Sequence, residues 1–275
     1  MMPVQAGAGA LDYFPCRYGA SRALFRGPER DLSGAYIVAL GGSPTFGKYV
    51  ARPYPALVEQ AVGQPVANLG GLNAGPDFYL SDPAALRVVS RARVAIIQVT
   101  SADGLSNPFY TVHARRNDRF LAATPALRAL YPEVDFAEIH FTRHLLTVLA
   151  RTDVARFAQI CADLQENWLR RMRQLLAHLP QRRVLLWLAN APPPQQWVGL
   201  DPDPGPLLVT AGMLAALGPE ASALVEAVPS PVAQAAGPAH MHVPQTEAEQ
   251  ARHLPGPAAH HEVAALLGPV IASML

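Results

Sequence analysis

Residues 36–49 read Tyr-Ile-Val-Ala-Leu-Gly-Gly-Ser-Pro-Thr-Phe-Gly-Lys-Tyr. Tyr36 to Leu40 is a short apolar run, the length of a buried strand. Gly41 and Gly42 break it, and Ser43 follows the break. Open α/β sheets carry out their ligand chemistry at the carboxyl ends of their strands, which is where this hydroxyl falls.

Working outward, a helix is expected at about 55–62, ended by Gly63, and a second strand at 65–69. The glycine-rich loop Gly70-Gly71-Leu72-Asn73-Ala74-Gly75 follows. A helix over about 81–90 leads to the run Val94 to Val99, rich in β-branched residues as parallel strands buried on both faces are. Helical spacing marks 133–150 and 152–179; in the second, Phe157, Ile160, Cys161, Leu164, Trp168 and Met172 form one stripe. Further strands are expected at 184–188 and 224–228, and an apolar helix closes the chain from about 257. Strand alternating with helix points to an α/β/α sandwich around a mostly parallel five-stranded sheet, in the manner of doubly wound folds. One domain over 1–275 is expected, with an N-terminal extension at 1–34 and a helical insertion at 108–180. Residues 1–10 are expected to be disordered. In the extension, the rings are expected to pack on the domain edge while Arg22, Arg26 and Arg30 stay solvated.

The 275 residues are half hydrophobic and carry a net charge of +1. That balance gives no electrostatic case for nucleic acid or an acidic membrane surface. Lys48 is the only lysine, which reads as a bias toward arginine codons. Cys16 and Cys161 lack metal-ligand spacing and read as free thiols of a reducing compartment. There is no secretory leader pattern and no apolar run near the ~20 residues that span a bilayer. A soluble, cytoplasmic protein without a cofactor is expected.

A serine hydroxyl needs a base to take its proton and donors to hold the oxyanion that forms. His260 and His261, at the start of the last helix, lie on the sheet edge that also bears Ser43. Asn73 and Asn107 follow strands two and three, where amide donors are useful. His140 and His144 have the i, i+4 spacing that zinc sites use, without a third ligand, and no metal site is assigned.

In this order the parts resemble the SGNH (GDSL-type) hydrolases. Gly41-Gly42-Ser43-Pro44-Thr45-Phe46-Gly47 is similar to their Gly-Asp-Ser-x-Thr-x-Gly opening. Asn68-Leu69-Gly70 with its glycine loop, the 94–99 run with the polar residues after it, and Pro257-Ala-Ala-His260-His261 are placed like the later blocks. With its N-terminal segment the chain also resembles an uncharacterised bacterial branch of SGNH-like proteins. The resemblance implies Ser43 as nucleophile and His260 as base, with Gly71 or Asn73 and Asn107 as oxyanion donors. It implies a small-molecule or carbohydrate ester as substrate. The sequence departs from the pattern: Gly42 replaces the aspartate, and Ala102-Asp103 stands where Asn-Asp would fall. No acid precedes a terminal histidine by three; Pro257, Ala258 and Gln250 stand before His260, His261 and His253.

Two alternatives remain. The missing acid motivates a non-catalytic SGNH-like scaffold that binds a glycan or partner in the same cleft. Gly42 to Lys48 also fits G-x-x-x-x-G-K, a nucleotide-binding phosphate loop, although Tyr49 stands where Ser or Thr would hold magnesium.

Overall fold

Alternation along the central strands divides the core between two faces. In β1 (Ile37–Leu40), Ile37 and Ala39 face one layer while Val38 and Leu40 face the other. This period of two follows from the pleat, and both sets are apolar because both faces are covered. The computed structural model describes residues 11–197, 199–200 and 205–275. The expectation for residues 1–10 lies outside them.

After β1 come α1 (Ser43–Phe46), α2 (Tyr54–Val62), β2 (Val66–Asn68), α3 (Pro76–Leu80), α4 (Pro83–Ser90) and β3 (Val94–Gln98). Next are β4 (Tyr110–His113), β5 (Arg116–Ala123), α5 (Pro125–Leu130), α6 (Thr142–Thr152), α7 (Val154–Leu176) and β6 (Arg183–Leu188). The chain finishes with α8 (Ala211–Leu217), β7 (Ala223–Ala227), α9 (Pro231–Ala236), α10 (Ala248–Ala251) and α11 (Pro257–Ala272). The main sheet has the order β2-β1-β3-β6-β7 and every neighbouring pair is parallel. Counted within the sheet this is 2-1-3-4-5, the flavodoxin-like order, whose switch point lies between β1 and β3.

Helices α2 and α11 cover one face through Tyr54, Leu57, Val58, Val263, Leu267 and Ile271. The other face packs α3, α4 and α7, with Trp168 and Trp187 fully enclosed. Burying a large apolar side chain contributes roughly 1.5–3 kcal/mol. Helix α7 starts where Asp153 caps it, its carboxylate accepting from the Arg156 amide. Asp82 caps α4 in the same way, through the amides of Ala84 and Ala85. Such caps hold orphan amides at about 1 kcal/mol each.

The stretch between β3 and β6 differs from the helical insertion expected at 108–180. It opens with the antiparallel hairpin β4–β5, whose tip carries Arg115, Arg116, Asn117, Asp118 and Arg119, a run that reads along the chain as a polar cluster rather than a strand. Its inward positions Tyr110, Val112 and Phe120 are buried, whereas Leu121 faces outward. The helix expected at 133–150 begins only at Thr142. The backbone before it is extended along β5: Phe120 N donates to His140 O, and Phe141 bridges Arg119. His140 therefore lies off the helix that carries His144.

The 11–34 segment also departs from expectation. Tyr18, Ala23 and Phe25 join the core, and Arg26 is buried rather than solvated. Its guanidinium donates to the carbonyls of Phe46, the last residue of α1, and of Gly47, Val50 and Ala51 just beyond it. Arg30 pairs with Glu59. Among the described residues, no helix is long and apolar enough to cross a membrane.

Candidate active site

The β1–α1 turn is built for close approach. A Cβ on Gly41 would sit 2.2 Å from Thr45 Oγ1 and 2.5 Å from Gln98 Oε1. One on Gly70 would sit 2.4 Å from Phe46 N. Only glycine lets the second loop touch the serine turn at these points.

A buried polar cage fixes the turn. At the end of β3, Gln98 Oε1 accepts from Gly42 N at 3.1 Å, Thr45 N at 3.2 Å and Thr45 Oγ1 at 2.7 Å. Since the Thr45 hydroxyl donates to Gln98, the Tyr54 hydroxyl donates to Thr45 at 2.8 Å. Asn68 Nδ2 donates to Thr45 O, and Asn68 Oδ1 accepts from Gly70 N. The Tyr79 hydroxyl accepts from Gly41 N and bonds the carbonyls of Gly41 and Leu69. Burial pushes the Tyr54 and Tyr79 phenols well above their ordinary value, so both remain protonated donors. Gln98 is visible in the sequence as one polar residue inside the apolar 94–99 run. Which groups it gathers is decided only by the fold.

Ser43 occupies the first position of α1 and is 8% exposed. Its hydroxyl donates to Asn73 Oδ1 and accepts from Asn73 N, both at 3.1 Å. Asn73 holds a left-handed backbone, φ +54°, a conformation that Asn tolerates well. Its carbonyl accepts from Asn117 N, and Asn117 Oδ1 accepts from Gly75 N at 2.6 Å. The β4–β5 hairpin thereby steadies the loop that holds the serine. Thus Ser43 and Asn73 come together as their positions implied. Asn117, the residue behind them, carried no sequence signal beyond its place in the polar cluster.

The other implied donors are engaged elsewhere. Gly71 N donates to Gly41 O at 3.0 Å, so this amide serves the sheet edge rather than an oxyanion. Asn107 is a turn residue: its Oδ1 accepts from Phe109 N and Tyr110 N while its Nδ2 donates to Leu105 O. Asp103 is buried and accepts from the Thr142 hydroxyl at 2.7 Å, which ties the loop after β3 to α6. Burial raises its pKa, opposed by that hydrogen bond. By contrast the Ser43 amide, at a helix start, has no acceptor among the described residues.

His260 stands apart from the serine. It is 1% exposed, lies parallel to the Tyr54 ring, and its Nδ1 accepts from Tyr54 N at 3.0 Å. The acceptor role at Nδ1 assigns the proton to Nε2, which is buried without a partner. Desolvation, with Arg26 and His261 nearby, lowers its pKa to about 3. A ring with its acceptor nitrogen occupied and its basicity depressed is a poor general base. Among the described residues, both hydrogen-bond partners of the Ser43 hydroxyl are on Asn73.

The segment before α11 does approach the serine turn. Lys48 pairs with Glu247 at 2.9 Å and donates to Gln250 Oε1 at 3.2 Å, and the Tyr49 hydroxyl donates to Glu247. Lys48 and Tyr49 directly follow the C-cap of α1, Gly47. His253, three residues after Gln250, is exposed at the end of this segment. Lys48 thus lies past a helix end rather than at a helix start. A phosphate loop requires the reverse.

A family model described as a domain of unknown function, DUF6473, matches residues 1–275. No curated protein matches. Among solved structures, the lipase Lip_vut3 from a goat rumen metagenome is similar, 14% identical over 86% of this chain and 97% of its own, with a TM-score of 0.43. A likeness of that degree carries no weight for function.

Proposed function

The chain belongs to the DUF6473 family, a domain of unknown function, and from that premise we propose that it is a serine ester hydrolase or acyltransferase of SGNH type, with Ser43 as nucleophile. One observation carries the proposal: the Ser43 hydroxyl sits at a rigid strand-to-helix turn, directly against the backbone amide of Asn73. The attacking oxygen and an oxyanion donor are then adjacent before substrate arrives, as acyl transfer requires. The unpartnered Ser43 amide and Asn73 Nδ2 complete the donor set in place of Gly71 and Asn107.

His253 replaces His260 as the base in this proposal. It follows a segment bonded to the turn after Ser43, and it is open to solvent. In the reaction the Ser43 oxygen attacks the ester carbonyl and His253 takes its proton. The tetrahedral oxyanion collapses as the alcohol leaves with that proton, and water or a second alcohol then releases the acyl group. The substrate is the ester of a small molecule or a carbohydrate.

A second reading, a non-catalytic binding scaffold, is favoured by one observation. The serine proton points at an amide oxygen, which is no base. Fluorophosphonate labelling separates the two, because the probe needs an activated serine and no knowledge of substrate. Wild type and His260→Asn are expected to label, Ser43→Ala not at all, and His253→Ala at least 100-fold more slowly. Unimpaired labelling of His253→Ala would remove the base assignment. A folded wild type that never labels would transfer the conclusion to the scaffold.

A further inference from the structure

Beside the serine turn lies an open cavity of about 540 Å³, within the range of small-ligand sites. The segment from Tyr13 to Phe25, the Gly71–Leu72 turn and the tip of the β4–β5 hairpin enclose it, together with Phe46 of α1 and Phe78 of α3. Leu72 directly precedes Asn73, and Phe46 on the wall belongs to the same helical turn as Ser43. The cavity therefore opens next to the candidate nucleophile without containing it.

Its lining is divided by chemistry. Phe25, Phe46 and Phe78 give it an aromatic wall, with Phe25 and Phe78 edge to face at 6.2 Å. Leu24 and Leu72 also line it, yet are 54% and 37% exposed. Two large apolar side chains left open on the rim of one cavity are an unfilled apolar surface.

The same cavity is lined by Arg17, Arg22, Arg115 and Arg116, with no carboxylate among the lining residues. That is four positive charges in one place on a chain whose net charge is +1. Arg17 donates to the carbonyls of Ser21 and Ala23, and Arg116 leans on Asp118 at 3.4 Å. The guanidiniums of Arg22 and Arg115 have no ion pair or hydrogen bond among the described residues. His113, also in the lining, accepts at Nδ1 from the amides of Arg115 and Arg116. This leaves its Nε2–H as another donor. Guanidiniums bind phosphate and carboxylate groups through paired N–H donors, more selectively than a point charge does.

We propose that this cavity binds an amphiphile with an apolar acyl or aryl body and a phosphate or carboxylate head. The body lies on the phenylalanines and leucines, and the head lies among the arginines of the hairpin tip and of the 11–34 segment. The site stands whether or not Ser43 reacts. If it does react, the cavity defines its substrates as esters that also carry an anionic group.

Calorimetry and thermal melting with octyl phosphate, below its micellar concentration and in low salt, test the site. Octanol, octyltrimethylammonium and inorganic phosphate serve as comparison probes. Octyl phosphate is expected to bind, to raise the melting temperature, and to weaken as salt screens the arginines. Octanol and inorganic phosphate are each expected to bind at least tenfold more weakly, and the cation not at all. Arg22→Gln with Arg115→Gln should weaken octyl phosphate at least 30-fold while leaving the unliganded melting temperature unchanged, because neither side chain has a partner to lose. Leu24→Asp, at an exposed position, should weaken it independently. Ser43→Ala should bind as wild type does, which keeps this outcome separate from that of the labelling experiment. Equal binding of octanol or of inorganic phosphate, or an affinity indifferent to the arginine pair, would overturn the site.

Discussion

Replacing Gln98 by leucine removes the one acceptor that serves three donors of the serine turn: Gly42 N, Thr45 N and the Thr45 hydroxyl. All three are buried, and leucine fills much of the space without offering a lone pair. A buried donor deprived of its partner costs ~1–3 kcal/mol. With about 1 kcal/mol for the hydroxyl and about 1.5 kcal/mol for each amide, Gln98→Leu should destabilise the protein by about 4 kcal/mol. That is a large share of the ~5–15 kcal/mol that folds a domain. Urea unfolding followed by far-ultraviolet circular dichroism and tryptophan fluorescence reads it directly. With a slope of ~3 kcal/mol per molar, the midpoint should fall by about 1.3 M. Thr45→Val provides the internal control. Once the hydroxyl is gone it no longer needs Gln98, so the double variant should cost about 1–2 kcal/mol less than the sum of the singles. A loss below about 1 kcal/mol in Gln98→Leu, or strict additivity with Thr45→Val, would refute the cage as the device that fixes the turn.

Two further outcomes follow from buried cations and bases. His260 has its folded-state pKa lowered from 6.5 to about 3, so the unfolded chain binds the proton more readily between those values. Stability contributed by the neutral ring is present above pH 6.5 and is lost as pH falls toward 3; linkage gives a loss of about 2 kcal/mol between pH 7 and pH 5. His260→Asn, which keeps an acceptor for Tyr54 N, should remove that part of the pH slope in unfolding titrations, and an unchanged slope would contradict the burial. Arg26→Lys should destabilise by ~3 kcal/mol despite the retained charge, because one ammonium cannot replace a planar fork that serves four carbonyls. Wild-type stability of Arg26→Lys in the same urea experiment would show that those bonds contribute nothing net.

Some of this was legible in the residues and some was not, for separable reasons. The runs at 36–40, 94–99 and 184–188 are apolar on both faces, which only a strand covered on both sides can satisfy. The glycines around Ser43 likewise announce a close turn. Asn73 was legible because an Asn among glycines at a strand end adopts the left-handed conformation easily, and that conformation brings its amide to Ser43. The hairpin was illegible because its tip is written in arginines, and the pairing that makes it a hairpin is between segments. The helix expected from 133 failed for a related reason: residues 140–141 bond to β5, and a backbone paired across strands cannot also bond along a helix.

By itself, then, the sequence determined the α/β sandwich, the strands of its sheet and the place of Ser43, since these depend on local periodicity and turn chemistry. Only the tertiary structure decided which groups meet the serine. His260 is adjacent in every sequence argument, yet one helical turn rotates it into the α2–α11 interface, where Tyr54 N takes its acceptor nitrogen. His253, Asn117 and the arginines at residues 17, 22, 115 and 116 carry no pattern along the chain. The arginines share one cavity because the 11–34 segment and the β4–β5 hairpin pack together beside the Gly71–Leu72 turn, and Asn117 of that hairpin reaches Gly75 N.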